Sequence, residues 1–124
     1  MTKRESLMRA RGMYPFMTTQ PPEIVFNHIV RETGRQFLVT EYELLGRART
    51  ERIIDARQSA MLLLRRYTGT SSVNVGVAFG RDHATILHAW KAAESKRDVD
   101  AKFKARLEAV ERELDRVLNG QEAK

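Results

Sequence analysis

The chain has 124 residues, 42% hydrophobic and 31% charged, a composition that suits one domain with a modest core. It contains no cysteine, which excludes disulfides, thiolate metal sites and a cysteine nucleophile. No stretch approaches the ~20 apolar residues of a membrane span, and no secretory signal is recognisable, so a cytoplasmic location is expected. The formal net charge is +6 and the pI about 10.1. This excess of positive charge predicts negatively charged partners.

The chain divides into three predicted segments. Residues 1–20 are basic and show no clear hydrophobic period, so they are expected to form a flexible N-terminal arm. Residues 21–119 carry the periodic apolar pattern of a folded domain, and residues 120–124 are expected to be a disordered tail.

Strong local signals bound the first two predicted helices. The first is expected over 22–33, with proline at its start and Gly34 just past its end. Its apolar side chains are Ile24, Val25, Phe26, Ile29 and Val30. A capping box, in which Thr40 caps and Glu43 reaches back, opens a short second helix that ends at Gly46.

Positive charge is concentrated in the middle of the chain. Residues 47–66 carry six arginines against two acidic residues, and arginine outnumbers lysine in the whole sequence. An arginine-rich loop is predicted over 47–52, followed by a long helix over 53–67 that Gly69 stops. Because arginine is favoured for recognition of phosphates and base edges, this charge indicates a nucleic acid partner. The alternative is a solvated helix face that happens to be arginine-rich.

A helix-turn-helix is predicted next. A short helix over 72–79 and a longer one over 83–96 flank a tight turn at Gly80, and Asp82 is the expected N-cap of the second. Gly76 suits a close helix crossing. The side chains expected to face inward are Val75, Ala78, Phe79, Ile86, Leu87, Trp90 and Ala93. This pattern alone is weak, since many helical proteins contain one by chance.

A last amphipathic helix is predicted over 99–118. Its apolar stripe consists of Phe103, Leu107, Val110, Leu114 and Val117, and its charged residues alternate in sign, which is typical of a solvated face. No strand pattern competes. The sequence therefore predicts an all-α fold, a helix-turn-helix bundle of about six helices.

The residues around the predicted turn read AFGRDHATILHA over 78–89. Upstream lie Gly46-Arg47-Ala48-Arg49 and Ala56-Arg57-Gln58. Together these motifs resemble the C-terminal DNA-binding domain of the bacterial replication initiator DnaA, over roughly residues 23–118. The resemblance implies a helix-turn-helix that binds double-stranded DNA.

The resemblance also implies roles for the basic loop and the long helix. Arg49 matches the arginine that enters the minor groove, and Arg47 lies in the same loop. Arg57 and Gln58 match positions that touch the DNA backbone or bases, and Arg65 matches a basic residue that contacts phosphate.

A second set of implied roles falls at the start of the next helix. Asp82, His83 and Ala84 match the residues that read the major groove. Thr85 matches a residue that contacts a phosphate, and Arg81 is expected to help hold the DNA backbone.

The chain departs from the family pattern at three points. Only Gly80 precedes the arginine where many relatives have two glycines, and Ala84 stands where threonine is usual. Glu51 and Asp55 put negative charge where the family is often more basic, which predicts lower non-specific affinity.

No catalytic residue, metal site or cofactor is predicted. His28 and His83 have no neighbours at metal-ligand spacing, and His88 is expected to be a structural hydrogen-bonding residue. Trp90 is expected in the core rather than as a base-stacking platform. The 124 residues contain no GxxxxGK[ST] loop, so ATP is not an expected ligand.

Three functions follow as hypotheses. The first is a sequence-specific DNA-binding transcription regulator, an activator of a phage-like or gene-transfer-agent element, associated with the nucleoid. The second is a replication accessory factor, or a competitor, at sites like those of the initiator. The third is a protein-interaction module. Expected partners are double-stranded DNA and, through the N-terminal arm or last helix, RNA polymerase or a DNA-bending protein, but no membrane and no ATP.

Overall fold

The computed structural model describes residues 18–120, which form six α-helices and no strand. In chain order these are α1 Pro22–Phe37, α2 Glu41–Leu45, α3 Glu51–Thr68, α4 Ser72–Phe79, α5 His83–Val99 and α6 Ala101–Asn119. The predicted all-α, six-helix fold is confirmed. Most of the predicted arm, and the tail beyond residue 120, lie outside the described residues. Within 18–120, no helix combines the length and apolarity that crossing a membrane requires.

The end of α1 differs from the prediction. Gly34 lies inside the helix, which continues to Phe37 and is closed by Leu38 in the left-handed conformation, with φ 59° and ψ 46°. A Cβ atom on Gly34 would lie 2.8 Å from the carbonyl oxygen of Val39. The glycine therefore permits the chain to fold back against the helix rather than stopping it. Ile24, predicted to face inward, is exposed.

Side-chain caps begin four of the helices. The predicted capping box is present: the amide of Glu43 donates to Thr40 Oγ1 at 3.0 Å, and the Thr40 amide donates to Glu43 Oε1 at 2.9 Å. That backbone bond lowers the pKa of Glu43. At the starts of α4, α5 and α6, the side chains of Ser71, Asp82 and Asp100 each accept a hydrogen bond from the amide three residues later.

The central element is α3, which contacts all five other helices. Its predicted core face is confirmed, since Ala56, Ala60, Leu63 and Leu64 are all buried. The small alanines let neighbouring helices approach closely, while the leucines fill the space between them. The helix starts at Glu51, two residues earlier than predicted, so the loop before it is shorter and Arg52 belongs to the helix.

The turn between α4 and α5 depends on two glycines. Gly80 adopts φ 67°, a left-handed conformation that favours glycine, and the Arg81 amide donates to the carbonyl of Gly76 at 2.8 Å. A Cβ atom on Gly76 would lie 2.4 Å from the carbonyl oxygen of Arg81. The close approach predicted at Gly76 therefore exists, but it is made by the turn itself.

Two side chains of the helix-turn-helix lie on other faces than predicted. Ala78 and Leu87 are exposed, whereas Ala89 is buried. The inward face of α5 follows the spacing Ile86, Ala89, Trp90 and Ala93, which leaves Leu87 outside this stripe. The prediction that Trp90 belongs to the core is confirmed: its indole Nε1 donates to the carbonyl of Met61 at 2.9 Å.

The last helix packs its apolar stripe against α1, α3 and α5. Leu118 is buried at the end of that stripe, where Val117 had been predicted and is only half-buried. Thr18 is also buried here: its amide donates to the carbonyl of Tyr67 at 3.0 Å, and its Oγ1 donates to the carbonyl of Leu118 at 3.3 Å. This residue is held against the bundle although it falls within the predicted arm.

Candidate nucleic-acid interface

A shallow cleft lies between the loop 46–50 and the first turns of α3 and α5. We call it the basic cleft. Six of the ten residues predicted to bind DNA line it: Arg47, Arg49, Arg57, Gln58, Arg81 and Thr85. Ile54, Met61, His88 and Ala89 complete the lining. The six predicted residues, of which Arg47 and Thr85 are 38 positions apart in sequence, thus meet on one surface of strongly positive charge.

Arg57 forms the buried floor of this cleft. Only 7% of its surface is exposed, and its guanidinium donates to three carbonyl oxygens, those of Leu44 at 2.9 Å, Ala48 at 3.0 Å and Glu43 at 2.9 Å. Burial, and then the neighbouring charge of Arg81, lowers the pKa of Arg57. These contacts hold α2 and the loop 46–50, which we call the arginine loop, on α3. The DNA contact expected for this side chain stays a prediction.

Arg81 ties the turn before α5 to the same loop. Its guanidinium donates to three carbonyls, those of Phe79 at 2.8 Å, Leu45 at 3.3 Å and Gly46 at 2.6 Å. Burial and the nearby charge of Arg47 lower its pKa. Arg47 in turn donates to the carbonyl of Gly80 at 3.5 Å. The loop and the turn are therefore cross-linked in both directions, which fixes the geometry between them.

The start of α5 presents polar side chains to solvent. Asp82 Oδ1 accepts a hydrogen bond from the Thr85 amide at 2.9 Å, and this bond lowers the pKa of Asp82. His83, Ala84 and Thr85 are all exposed in the first turn. The helix therefore offers a short, rigidly capped and accessible edge, the part of a recognition helix that meets base edges.

Arg65 lies outside the lining of the cleft. Its guanidinium carbon is 4.5 Å from the centre of the Trp90 ring, its Nη1 is 3.9 Å from Glu94 Oε1, and its side chain is 34% exposed. It follows Gln58 by two turns and Met61 by one turn of α3, so it continues the row of side chains that leads out of the cleft.

His88 is the cleft residue that sequence reasoning assigned to another role. It is exposed and lines the basic cleft one turn after Thr85, whereas the sequence predicted a structural hydrogen-bonding residue, a role that stays a prediction. The helical spacing of three residues from Thr85 was the available signal. Among residues 18–120, no cluster of three or more metal-ligating side chains occurs.

The sequence profile of the family described as bacterial dnaA protein helix-turn-helix matches residues 26–92, more than half of the chain. The chain belongs to this DnaA helix-turn-helix family. All ten residues predicted to bind DNA fall within the matched segment. The resemblance inferred from the motifs is thereby confirmed, and the chain is a DnaA-like DNA-binding domain.

Individual relatives agree with the profile. The chain is 36% identical over 105 residues to the chromosomal replication initiator protein DnaA of Brucella abortus, covering 84% of this chain and 20% of that protein. It is 31% identical over 100 residues to the DnaA of Flavobacterium psychrophilum, covering 80% of this chain and 21% of the relative. The DnaA of Corynebacterium jeikeium is 41% identical over 71 residues, covering 56% of this chain and 12% of the relative. The chain thus spans about a fifth or less of the length of these DnaA relatives.

Proposed function

We propose that this chain binds double-stranded DNA sequence-specifically through the basic cleft and the start of α5. One observation carries the proposal: Arg57 fastens the arginine loop to α3, and Arg81 fastens the same loop to the turn before α5. A rigid loop beside a capped helix can enter two adjacent grooves of one duplex, whereas a loop and helix that moved independently would lose entropy on binding.

In the proposed docking, the first turn of α5 enters the major groove. Asp82, His83 and Ala84 face base edges there, and Thr85 contacts a phosphate. Arg49, with Arg47 beside it, enters the adjacent minor groove, where an arginine responds to the narrow width and negative potential of A·T-rich sequence.

The remaining residues of the predicted DNA-binding set, and His88, divide between those that contact DNA and those that hold the loop in place. Gln58 and Arg65 contact the phosphate backbone along α3, which fixes the register of the protein without reading sequence. Arg57 and the guanidinium of Arg81 act behind the surface by holding the loop. His88 joins the contact set as a further hydrogen-bonding side chain on the cleft wall.

The preferred site is a relative of the box that the initiators bind rather than that box itself. Ala84 can contact a thymine methyl group but has no hydroxyl, so one polar base contact is replaced by an apolar one. Glu51 and Asp55, at the start of α3, lower the positive potential of the loop. The first change alters which base is preferred, and the second lowers non-specific affinity.

At the biological level we propose a transcription regulator, an activator of a phage-like or gene-transfer-agent element. Such an activator would bring RNA polymerase or a DNA-bending protein to the promoter, using α6 or the N-terminal arm. The second candidate is a replication accessory factor or competitor, which the similarity to chromosomal replication initiator proteins favours. Mapping the occupancy of the protein across a genome separates promoters from origins.

Selection from randomised duplexes tests the DNA-binding proposal. The wild-type chain should enrich one motif, whereas His83→Ala should bind with a relaxed preference, losing ~1–3 kcal/mol of discrimination. Arg65→Ala should weaken all sequences alike and flatten the salt dependence. Unchanged sequence preference in His83→Ala would overturn the proposed docking, and absence of any complex at low ionic strength would overturn the function.

A further inference from the structure

Lys96, near the end of α5, reaches across to the start of α3. Its Nζ lies 2.7 Å and 2.8 Å from the two carboxylate oxygens of Asp55, and 3.3 Å from Glu51 Oε1. The Lys96 and Asp55 side chains are only 23% and 17% exposed, whereas that of Glu51 is 86% exposed. Partial burial alone would lower the pKa of Lys96, but the bonds to the two carboxylates outweigh it and raise the pKa.

This contact joins α5, whose first turn is assigned to the major groove, to α3, which directly follows the loop assigned to the minor groove. Glu51 is the first residue of α3 and follows the loop that carries Arg49. Lys96 belongs to the same helix as His83, whose exposed first turn is the proposed major-groove edge. The bonds of Arg81 fasten the loop to the head of α5, so Lys96 supplies a second attachment, one further along the helix.

The charges in this contact also bear on DNA. Two carboxylates close to the arginine loop would repel phosphates and offset part of its positive potential. With Lys96 bonded to both, the three groups together carry a single negative charge rather than two. A half-buried pair is screened by salt less than an exposed one, so this compensation operates at physiological ionic strength.

We propose that Lys96 is a positioning residue for DNA binding, which neutralises Asp55 and Glu51 and holds the start of α3, and with it Arg49, in place relative to α5. The inference rests on the proposed function, because its importance comes from the duplex that the loop and helix share. Lys96 itself is not assigned a contact with DNA.

Equilibrium binding of the full chain to its selected duplex and to an unrelated duplex tests this proposal. Lys96→Met should weaken both complexes about tenfold near 50 mM salt, and the loss should shrink as salt rises, because uncompensated carboxylates are then screened. Lys104→Met removes the same charge from an exposed site on α6 and should change affinity less than about twofold. Lys96→Arg should retain affinity.

Removal of the Asp55 carboxylate shows whether Lys96→Met weakens DNA binding through an uncompensated negative charge or through a general loss of protein stability. Asp55→Asn in the Lys96→Met background should recover most of the lost affinity, although it makes no new ion pair. Wild-type affinity in Lys96→Met, or a loss that persists unchanged after Asp55→Asn, would overturn the proposal.

Amide hydrogen exchange of the free protein separates this proposal from the proposed function. Exchange over residues 47–55 should be at least about fivefold faster in Lys96→Met than in Lys104→Met. Equal exchange would disprove the positioning role even if DNA binding changed. If the wild-type chain binds neither duplex, the proposed function fails, and exchange still decides whether Lys96 holds the start of α3.

Discussion

The hydroxyl of Tyr67 donates to Asp115 Oδ1 at 2.7 Å, joining the centre of the fold on α3 to the last helix. The ring is fully buried, and the carbonyl of Glu111 lies 3.2 Å from the same hydroxyl. Burial and the bond to Asp115 raise the pKa of Tyr67, so the phenol stays protonated and remains a donor.

Tyr67→Phe should therefore destabilise the protein by about 1–2 kcal/mol, since it removes the hydrogen bond to a partly buried carboxylate. Urea unfolding measures the change. Tyr42→Phe removes a hydroxyl from a side chain that is 88% exposed and should be neutral. Equal stabilities of the two variants would show that the Tyr67 bond contributes nothing net.

Arg57→Ala should destabilise the chain by about 2–4 kcal/mol, because three carbonyl oxygens lose a charged donor. DNA affinity should also fall, since the arginine loop is no longer held. The slope of affinity against salt should stay the same for a residue that supports the loop, and it should drop by about one for a phosphate contact. A reduced salt slope in Arg57→Ala would thus show that Arg57 contacts a phosphate.

Arg57→Lys keeps the charge but cannot reproduce the planar fork that serves three acceptors. We expect it to recover less than half of the stability that Arg57→Ala loses. Full recovery would mean that charge, rather than hydrogen-bond geometry, is what the loop requires.

Leu38→Gly should stabilise the protein by about 0.5–1 kcal/mol. Leucine at φ 59° carries the cost of the left-handed region, about 1–2 kcal/mol, part of which glycine gives back through its larger unfolded-state entropy. Because Leu38 is 68% exposed, little packing is lost. Leu38→Ala keeps the backbone cost and should not stabilise. Thermal or urea unfolding decides between the two expectations.

The cap at Asp82 should make stability depend on acid. Its pKa is lowered in the folded state, so its contribution is present above the unfolded pKa of about 3.9 and is lost as pH falls through the folded value. Asp82→Asn can still cap but does not titrate. The stability difference between the wild type and Asp82→Asn should therefore be constant near neutral pH and shift against the wild type below about pH 4. A difference that is flat down to pH 2 would rule out this contribution.

Local signals explain why much of the fold could be predicted from the sequence. The capping box at Thr40, the cap at Asp82 and the helix end at Gly69 each depend on a few neighbouring residues. Gly34 was misread because a glycine that permits a close approach looks the same, in sequence, as one that ends a helix. What decides is the carbonyl of Val39, which the fold brings back against it.

The sequence could predict which positions form the candidate site, but not which of them face solvent and which hold the loop in place. Arg49 and Arg57 are both arginines of one basic stretch, and nothing local shows that Arg49 is exposed while Arg57 is buried. The difference arises from carbonyls that α2 delivers to Arg57 from 13 and 14 residues away. Lys96 was missed for the same reason, since its partner Asp55 is 41 residues earlier in the chain.

The hydrogen bond from Thr18 to Leu118 has a consequence for engineering. It brings two residues 100 positions apart into direct contact. A covalent cross-link engineered between these two positions would tie the segment before α1 to α6, at a distance in sequence from both the arginine loop and the start of α5.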